Sequence, residues 1–210
     1  MRILKKRVQF KDFIFQQPKQ LTPQFCKRLI DLYETNPIAL EERKMGGTVG
    51  ADYALDLKQS EDMRISDLAA FKQEDKILVC ALKKLMQNYV EHLSSFNTAY
   101  GDLQAVNYED SGFQIQKTTP GGFYNWHADG WKTRHFTYIF YLNDIKNQGE
   151  TEFANGLKIK PEEGKGVIFP ATWEYVHRGI APKNEIKYIT TGWVSALWDS
   201  RPNEPKNELK

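Results

Sequence analysis

The sequence predicts an α+β protein, mainly β: a double-stranded β-helix (jelly roll) with N-terminal helices packed on one face. Two observations support this fold class. In the first half of the chain, apolar residues recur at helical spacing. In the second half, short β-branched or alternating segments are separated by turns that contain glycine and proline. A chain of 210 residues, 40% of them hydrophobic, can form one such domain.

Residues 1–104 are predicted to be a helical support region. Thr22 is typical of a helix N-cap and Pro23 of the first helical position, where a missing N–H costs nothing. The helix that they begin is expected to end at Pro37. A second helix is predicted from about Asp75 to Phe96, because apolar residues form a stripe there with lysines on the other side.

Residues 105–198 are predicted to be the jelly-roll core, which forms one domain together with the helical region. Its strands are expected where β-branched and aromatic residues cluster between turns. The strand candidates are Phe113–Gln116, His135–Leu142, Leu157–Ile159, Val167–Phe169 and Lys187–Ala196. Residues 199–210 are polar and interrupted by proline, which is typical of a frayed tail.

The composition argues against several classes of partner. Lysine and arginine number 29 against 27 acidic residues, so nothing in the net charge of +2 predicts binding to nucleic acid or to an anionic membrane. No run of 18 apolar residues occurs, and the N-terminus lacks the apolar segment of a signal peptide. Cys26 and Cys80 are expected to be buried free thiols, as in a reducing compartment. The expected location is cytoplasmic.

The candidate metal ligands lie among the four histidines. His127 and Asp129 are separated by one residue, so on a strand both side chains point to the same face. A third ligand would be His177, fifty positions later. Two histidines and one carboxylate on one face of an octahedron suit non-haem iron(II), since three positions stay open. The alternative role for His127 is ordinary packing in the core. His92 is expected at the surface or in packing. His135 is expected either to face the pocket or to cap its strand.

Lys187 is the candidate for binding a co-substrate. It opens a strand whose other residues are uncharged. An ammonium group that is buried there needs an anionic partner. A dicarboxylate would satisfy it, with a keto-acid end chelating the iron and the far carboxylate paired with the lysine. The alternative is an edge-strand lysine that is exposed to water.

Several short segments surround these residues. They are Gly121–Asp129 (GGFYNWHAD), Arg134–Leu142 (RHFTYIFYL) and Gly149–Phe153 (GETEF), followed by Pro161, Gly164, Phe169-Pro170, His177, Pro182, Lys187 and Trp193. In composition and order, this set resembles the prolyl 4-hydroxylase-like branch of the 2-oxoglutarate/iron(II) dioxygenases. The resemblance covers about residues 105–197.

The resemblance implies a role for each matching residue. The iron ligands would be His127, Asp129 and His177. The co-substrate residues would be Lys187, which holds the distal carboxylate of 2-oxoglutarate, with Tyr141, Thr151 and Thr118. The substrate-facing residues would be Tyr124, Arg134 and Trp193. Thr118 departs from the family, because many relatives have a tyrosine there; the contact is expected to be lost or bridged by water.

The implied activity is the hydroxylation of an unactivated C–H bond with Fe(II), 2-oxoglutarate and O2, and with ascorbate as reductant. The resemblance favours a prolyl residue in a peptide or protein, while a free amino acid or other small molecule is the alternative. Trp126, Trp131 and Trp173 are expected near the mouth of the site, and residues 44–62 could form a lid over it. Two other classes stay open: a non-catalytic jelly-roll binding module stabilised by metal, and a zinc hydrolase.

Overall fold

The computed structural model describes residues 8–45, 48–49, 52–53, 55–130 and 133–197. Its helices are α1 (Pro23–Thr35), α2 (Pro37–Glu42) and α3 (Lys72–Ser94). Its strands are β1 (Phe15–Gln17), β2 (Lys44–Met45), β3 (Thr48–Val49), β4 (Asp52–Tyr53), β5 (Glu61–Arg64), β6 (Tyr108–Asp110), β7 (Gln114–Thr118), β8 (Tyr124–His127), β9 (Arg134–Tyr141), β10 (Thr151–Phe153), β11 (Lys158–Ile159), β12 (Gly166–Pro170), β13 (His177–Gly179) and β14 (Lys187–Ala196). Gly46 and Gly47 of the 44–62 segment, Trp131 and the tail at 199–210 lie outside the described residues.

Two antiparallel sheets face each other and confirm the predicted jelly-roll fold. The larger sheet has the strand order β1-β12-β9-β14-β7-β5-β2, and β6 also pairs with β14. The smaller sheet has the order β11-β10-β13-β8. A separate two-stranded sheet joins β3 to β4. Among the described helices, none has both the length and the apolarity to cross a membrane.

The helix caps explain where the N-terminal helices begin. The Thr22 side chain accepts a hydrogen bond from the backbone N–H of Phe25 at 3.2 Å, as predicted for the start of α1. Pro37 does not simply end that helix. It is the first residue of α2, and the Asn36 side chain caps α2 by accepting from two backbone N–H groups. Proline fits a first helical turn as well as it stops a preceding helix.

Strand β9 separates two apolar layers by simple alternation. Phe136, Tyr138 and Phe140 belong to the core cluster that includes α1 and α3. Ile139 and Tyr141 belong to a second cluster that includes residues of the smaller sheet. The helices therefore cover one face of the larger sheet, as predicted, and the other face is turned toward the smaller sheet.

The N-terminal region also supplies strands to the larger sheet. Strand β1 pairs with β12, and β5 pairs with β7. The region before residue 105 is therefore part of the sheet and contributes more than a helical support. The cysteine expectation is right for one residue, because Cys26 is buried and Cys80 is exposed.

Candidate metal centre and co-substrate cavity

Strand register brings the three predicted ligands together. His127 ends β8 and lies directly opposite His177, which begins β13. Asp129 follows two residues after His127 and is buried. One ligand atom from each of the three side chains lies within 4.8 Å of the other two. This spacing can enclose one metal ion.

Backbone contacts orient both imidazole rings. His127 Nδ1 lies 2.8 Å from the carbonyl oxygen of Asn125, and His177 Nδ1 lies 3.0 Å from that of Tyr175. A carbonyl oxygen only accepts, so Nδ1 is the protonated nitrogen in each ring. The lone pair is therefore on Nε2, which lies 3.7 Å from Asp129 Oδ1 in His127 and 3.6 Å from Oδ2 in His177. Hydrogen bonding of Nδ1 to the protein is the usual support of a metal-binding histidine.

The protonation states suit a metal ligand set. Burial, together with the neighbouring His177, lowers the pKa of His127 to about 4, so its imidazole is neutral at physiological pH. Burial alone raises the pKa of Asp129, but the two imidazoles and a 2.7 Å hydrogen bond from Thr137 bring it below its ordinary value. Neutral imidazole and ionised carboxylate are the forms that bind metal.

Lys187 is a buried ammonium on the wall of the same cavity. Its Nζ donates to the carbonyl oxygen of Gly149 at 3.0 Å. Burial lowers its pKa from 10.5 to about 8, and Glu150 opposes this only in part. Among the described residues, no carboxylate lies within the 4.0 Å of Nζ that defines an ion pair. The lysine is therefore inside the protein, which excludes the exposed edge-strand alternative.

The other predicted co-substrate residues lie on or behind the cavity wall. Thr151 and Thr118 line the cavity, and Thr118 is opposite Lys187 in the sheet register. Tyr141 is fully buried and does not line the cavity, but its hydroxyl lies 2.7 Å from Thr151 Oγ1. Tyr141 can therefore act on this cavity by orienting the Thr151 hydroxyl.

The three predicted substrate residues lie beside the metal centre. The Tyr124 ring stacks on the His127 ring, with centroids 3.5 Å apart and planes at 12°. Trp193 lines the cavity, and the Arg134 guanidinium lies 3.5 Å from the centroid of its indole. Arg134 does not line the cavity and reaches the site through Trp193.

The other described tryptophan and histidine candidates do not line the cavity. Trp126 and Trp173 are exposed large side chains, with Trp173 at 76% exposure. His92 Nε2 contacts the carbonyl oxygen of Asp12 at 2.8 Å, so it serves in packing. His135 is exposed, and its ring meets the edge of the Tyr108 ring, so it does not face the cavity.

Sequence reasoning missed a polar wall of the cavity. Lys58, Ser60 and Gln116 line it, and Asp62 pairs with Lys58 from behind. Lys58 and Ser60 belong to residues 44–62, the segment that the sequence suggests as a lid. The only local signal was the four-residue spacing of Lys58 and Asp62, which by itself suggests a solvated helix pair rather than a cavity wall.

Solved structures show the same fold at low sequence identity. A viral collagen prolyl hydroxylase from Paramecium Bursaria Chlorella virus-1 is 18% identical, with 88% of this chain and 97% of the other covered and a TM-score of 0.60. A Pseudomonas putida prolyl-4-hydroxylase is 18% identical, with 87% and 92% covered and a TM-score of 0.61. A Trichoplax adhaerens prolyl hydroxylase, solved with a hypoxia inducible factor peptide fragment, is 16% identical, with 88% and 84% covered and a TM-score of 0.61.

Family comparison agrees with the geometry. A search of curated proteins finds no match. The model of the 2OG-Fe(II) oxygenase superfamily, however, matches residues 113–195. That segment contains both histidines and the aspartate of the candidate metal centre, as well as Lys187. Residues 113–195 are therefore similar to the 2OG-Fe(II) oxygenase superfamily over the segment that forms the candidate metal centre.

Proposed function

We propose that this protein is an iron(II)- and 2-oxoglutarate-dependent dioxygenase that hydroxylates an unactivated C–H bond. The observation that carries the proposal is one cavity with two kinds of binding group. It holds two imidazoles and one carboxylate that face one another, and it holds a buried ammonium without a carboxylate partner among the described residues. The first suits iron(II), and the second suits the far carboxylate of a dicarboxylate.

The chain's own residues would bind and orient the reactants. His127, Asp129 and His177 would hold the iron on one side and leave its other positions free. Lys187 and Thr151 would hold the distal carboxylate of 2-oxoglutarate. When bound, the iron and 2-oxoglutarate supply the oxidising chemistry, in which 2-oxoglutarate and O2 give succinate and carbon dioxide and one oxygen atom enters the substrate C–H bond.

The protein groups also exclude water and fix protons. Tyr124 covers one face of the His127 ring, and Ile139 and Ile189 line the cavity with apolar surface. The Thr137 hydroxyl donates to Asp129 Oδ2, which leaves Oδ1 as the freer ligand oxygen. Low access of water protects reactive species and strengthens the electrostatic contacts inside the site.

A prolyl residue in a peptide or protein is the first substrate candidate. The solved structures with this fold include a prolyl hydroxylase bound to a peptide fragment. Tyr124, Trp193 and, through its stacking on Trp193, Arg134 would face the substrate. A free amino acid or other small molecule is the second candidate, and the charged wall at Lys58 is the observation that favours it.

The test is succinate formation from 2-oxoglutarate. Protein loaded with Fe(II) under argon is exposed to air with ascorbate, with and without a proline-rich peptide, beside a His127→Ala variant. Turnover that is lost in the variant supports the oxygenase, and stimulation by the peptide supports prolyl hydroxylation. Tight iron binding without succinate under any condition would favour the metal-stabilised binding module, and hydrolysis of ester or amide probes by zinc-loaded protein would favour the zinc hydrolase.

A further inference from the structure

A buried lysine beside the metal centre has no role in the reaction described above. Lys58 is only 4% exposed and lines the cavity. Its Nζ lies 5.0 Å from the centroid of the Tyr124 ring, and Tyr124 in turn stacks on His127. Lys58 therefore lines the same cavity as the candidate metal ligands and is linked to His127 through the Tyr124 ring.

Asp62 fixes the Lys58 ammonium from outside the cavity. It is 7% exposed, does not line the cavity, and its Oδ2 lies 2.5 Å from Lys58 Nζ. Its other oxygen, Oδ1, accepts a 2.7 Å hydrogen bond from the Ser60 hydroxyl. Asp62 also lies on β5 opposite Gln116 of β7, so the sheet anchors it. The carboxylate thus has two donors and a fixed position.

The ammonium keeps donors for a ligand. A lysine Nζ carries three N–H donors. Asp62 accepts the single hydrogen bond that Lys58 makes to the described residues. A buried ion pair is on average no more stabilising than an apolar pair of the same volume, so its stability alone does not explain its presence on a cavity wall. A ligand that uses the remaining donors does explain it.

Charge balance indicates which ligand. Lys187 already accounts for the distal carboxylate of 2-oxoglutarate, and Asp62 matches Lys58 with one negative charge. Arg134, stacked on Trp193, has no carboxylate partner within 4.0 Å among the described residues. Arg134 lies behind Trp193, so the cavity itself is lined on this side by the Lys58 ammonium, and the Lys58, Asp62 and Arg134 side chains together carry one net positive charge. A substrate carboxylate would balance that charge and would accept a charge-assisted hydrogen bond from the free N–H donors of Lys58.

We propose that Lys58, whose ammonium group is anchored by Asp62, binds a free carboxylate of the substrate. This inference rests on the proposed oxygenase function and deepens it. It narrows the substrate to a molecule with a carboxylate near the oxidised carbon, either a free amino acid or the last residue of a peptide. The backbone of an internal peptide residue offers only neutral amides at this position.

The test compares acids with their amides. The probes are the L-amino acids, their C-terminal amides, and glycyl dipeptides that end either in a free carboxylate or in an amide. Binding to protein with Fe(II) and saturating 2-oxoglutarate under argon is followed by tryptophan fluorescence, since Trp193 lines the cavity. We expect at least one acid to bind about tenfold more tightly than its amide, as for a hydrogen bond between charged groups. A preference for free amino acids or for dipeptides identifies the source of the carboxylate.

Variants connect that preference to Lys58. Lys58→Met should reduce the ratio of acid to amide affinity to about one, and Lys58→Arg should retain most of it because the charge is kept. Lys83→Met, which changes an exposed lysine of α3, is the matched control and should keep the full preference. If Lys58→Met does not fold by circular dichroism, Lys58→Gln replaces it with a neutral polar side chain.

Three results would overturn the inference. Equal affinity for acids and amides in the unmodified protein, including no binding of either, would show that the cavity does not recognise a substrate carboxylate. A preference that survives Lys58→Met and Lys58→Gln would place the recognition elsewhere. A loss of 2-oxoglutarate affinity in Lys58→Met as large as in Lys187→Met would assign Lys58 to the co-substrate. Failure of the proposed oxygenase function gives a different result, namely that no succinate forms with any of the probes.

Discussion

Replacing Lys187 with methionine should stabilise the metal-free protein and at the same time weaken 2-oxoglutarate binding. In the folded protein the pKa of Lys187 falls from 10.5 to about 8, which corresponds to about 3 kcal/mol of unfavourable charging below pH 8. Methionine removes that cost. It also removes the hydrogen bond to Gly149, whose loss costs about 1 kcal/mol of stability. The variant, without 2-oxoglutarate, should therefore gain about 2 kcal/mol in free energy of unfolding at pH 7.

The same lysine gives the unmodified protein a characteristic pH dependence. The unfolded chain binds the Lys187 proton more tightly than the folded protein does, because burial lowers the folded pKa. The free energy of unfolding should therefore rise as the pH increases from about 8 to about 10.5, and the penalty should be fully present below that window. Lys187→Met should lack this rise. Urea unfolding at several pH values measures both effects.

Binding of 2-oxoglutarate should change in the opposite direction. Loss of one partner from a buried charge pair costs about 3 kcal/mol, which is roughly a 100-fold change in affinity. We expect the KM for 2-oxoglutarate to rise by about that factor with kcat changed little, because the contact is the same in the ground and transition states. Succinate release measures both constants. Lys183→Met, at an exposed lysine before β14, is the control. An unchanged KM in Lys187→Met would refute the assignment of Lys187 to the co-substrate.

Three further predictions concern the metal centre and its support. Asp129→Ala should abolish succinate formation and weaken Fe(II) binding at least tenfold, measured by equilibrium dialysis; full activity would remove Asp129 from the metal site. Tyr141→Phe deletes only the hydroxyl that contacts Thr151, so the KM for 2-oxoglutarate should rise about fivefold, as for one neutral hydrogen bond, and an effect equal to that of Lys187→Met would contradict this indirect role. Because burial lowers the pKa of His127 to about 4, the His127 imidazole of the metal-free protein should stay neutral at pH 6, as measured by an NMR titration of that ring, and a midpoint near the ordinary histidine pKa would contradict this.

Local patterns in the sequence predicted much of the fold and of the site. The start of α1 could be predicted because a cap depends on residues three positions apart. The pair His127 and Asp129 could be predicted from its spacing of two residues, although Asp129 lies just beyond the end of β8 and not on the strand. Motif order then added His177 and Lys187, and the structure brings all four to one cavity.

Other features depended on contacts between distant residues. The Lys58 and Asp62 pair went unrecognised, because it reaches the cavity only when β5 pairs with β7 and residue 58 bridges to Tyr124. Tyr141 could be placed near the co-substrate but not behind Thr151, because that depends on how the two sheets pack.

The sequence by itself determined which groups could bind a metal and a dicarboxylate, because residue type and periodicity are local properties. Only the tertiary structure decided their register and their burial. His127 lies opposite His177 through hydrogen bonds between strands that are fifty residues apart. The low pKa of Lys187 likewise arises from the whole cavity that surrounds it. Pairing between distant strands and removal from water are properties of the folded chain, and no short segment encodes them alone.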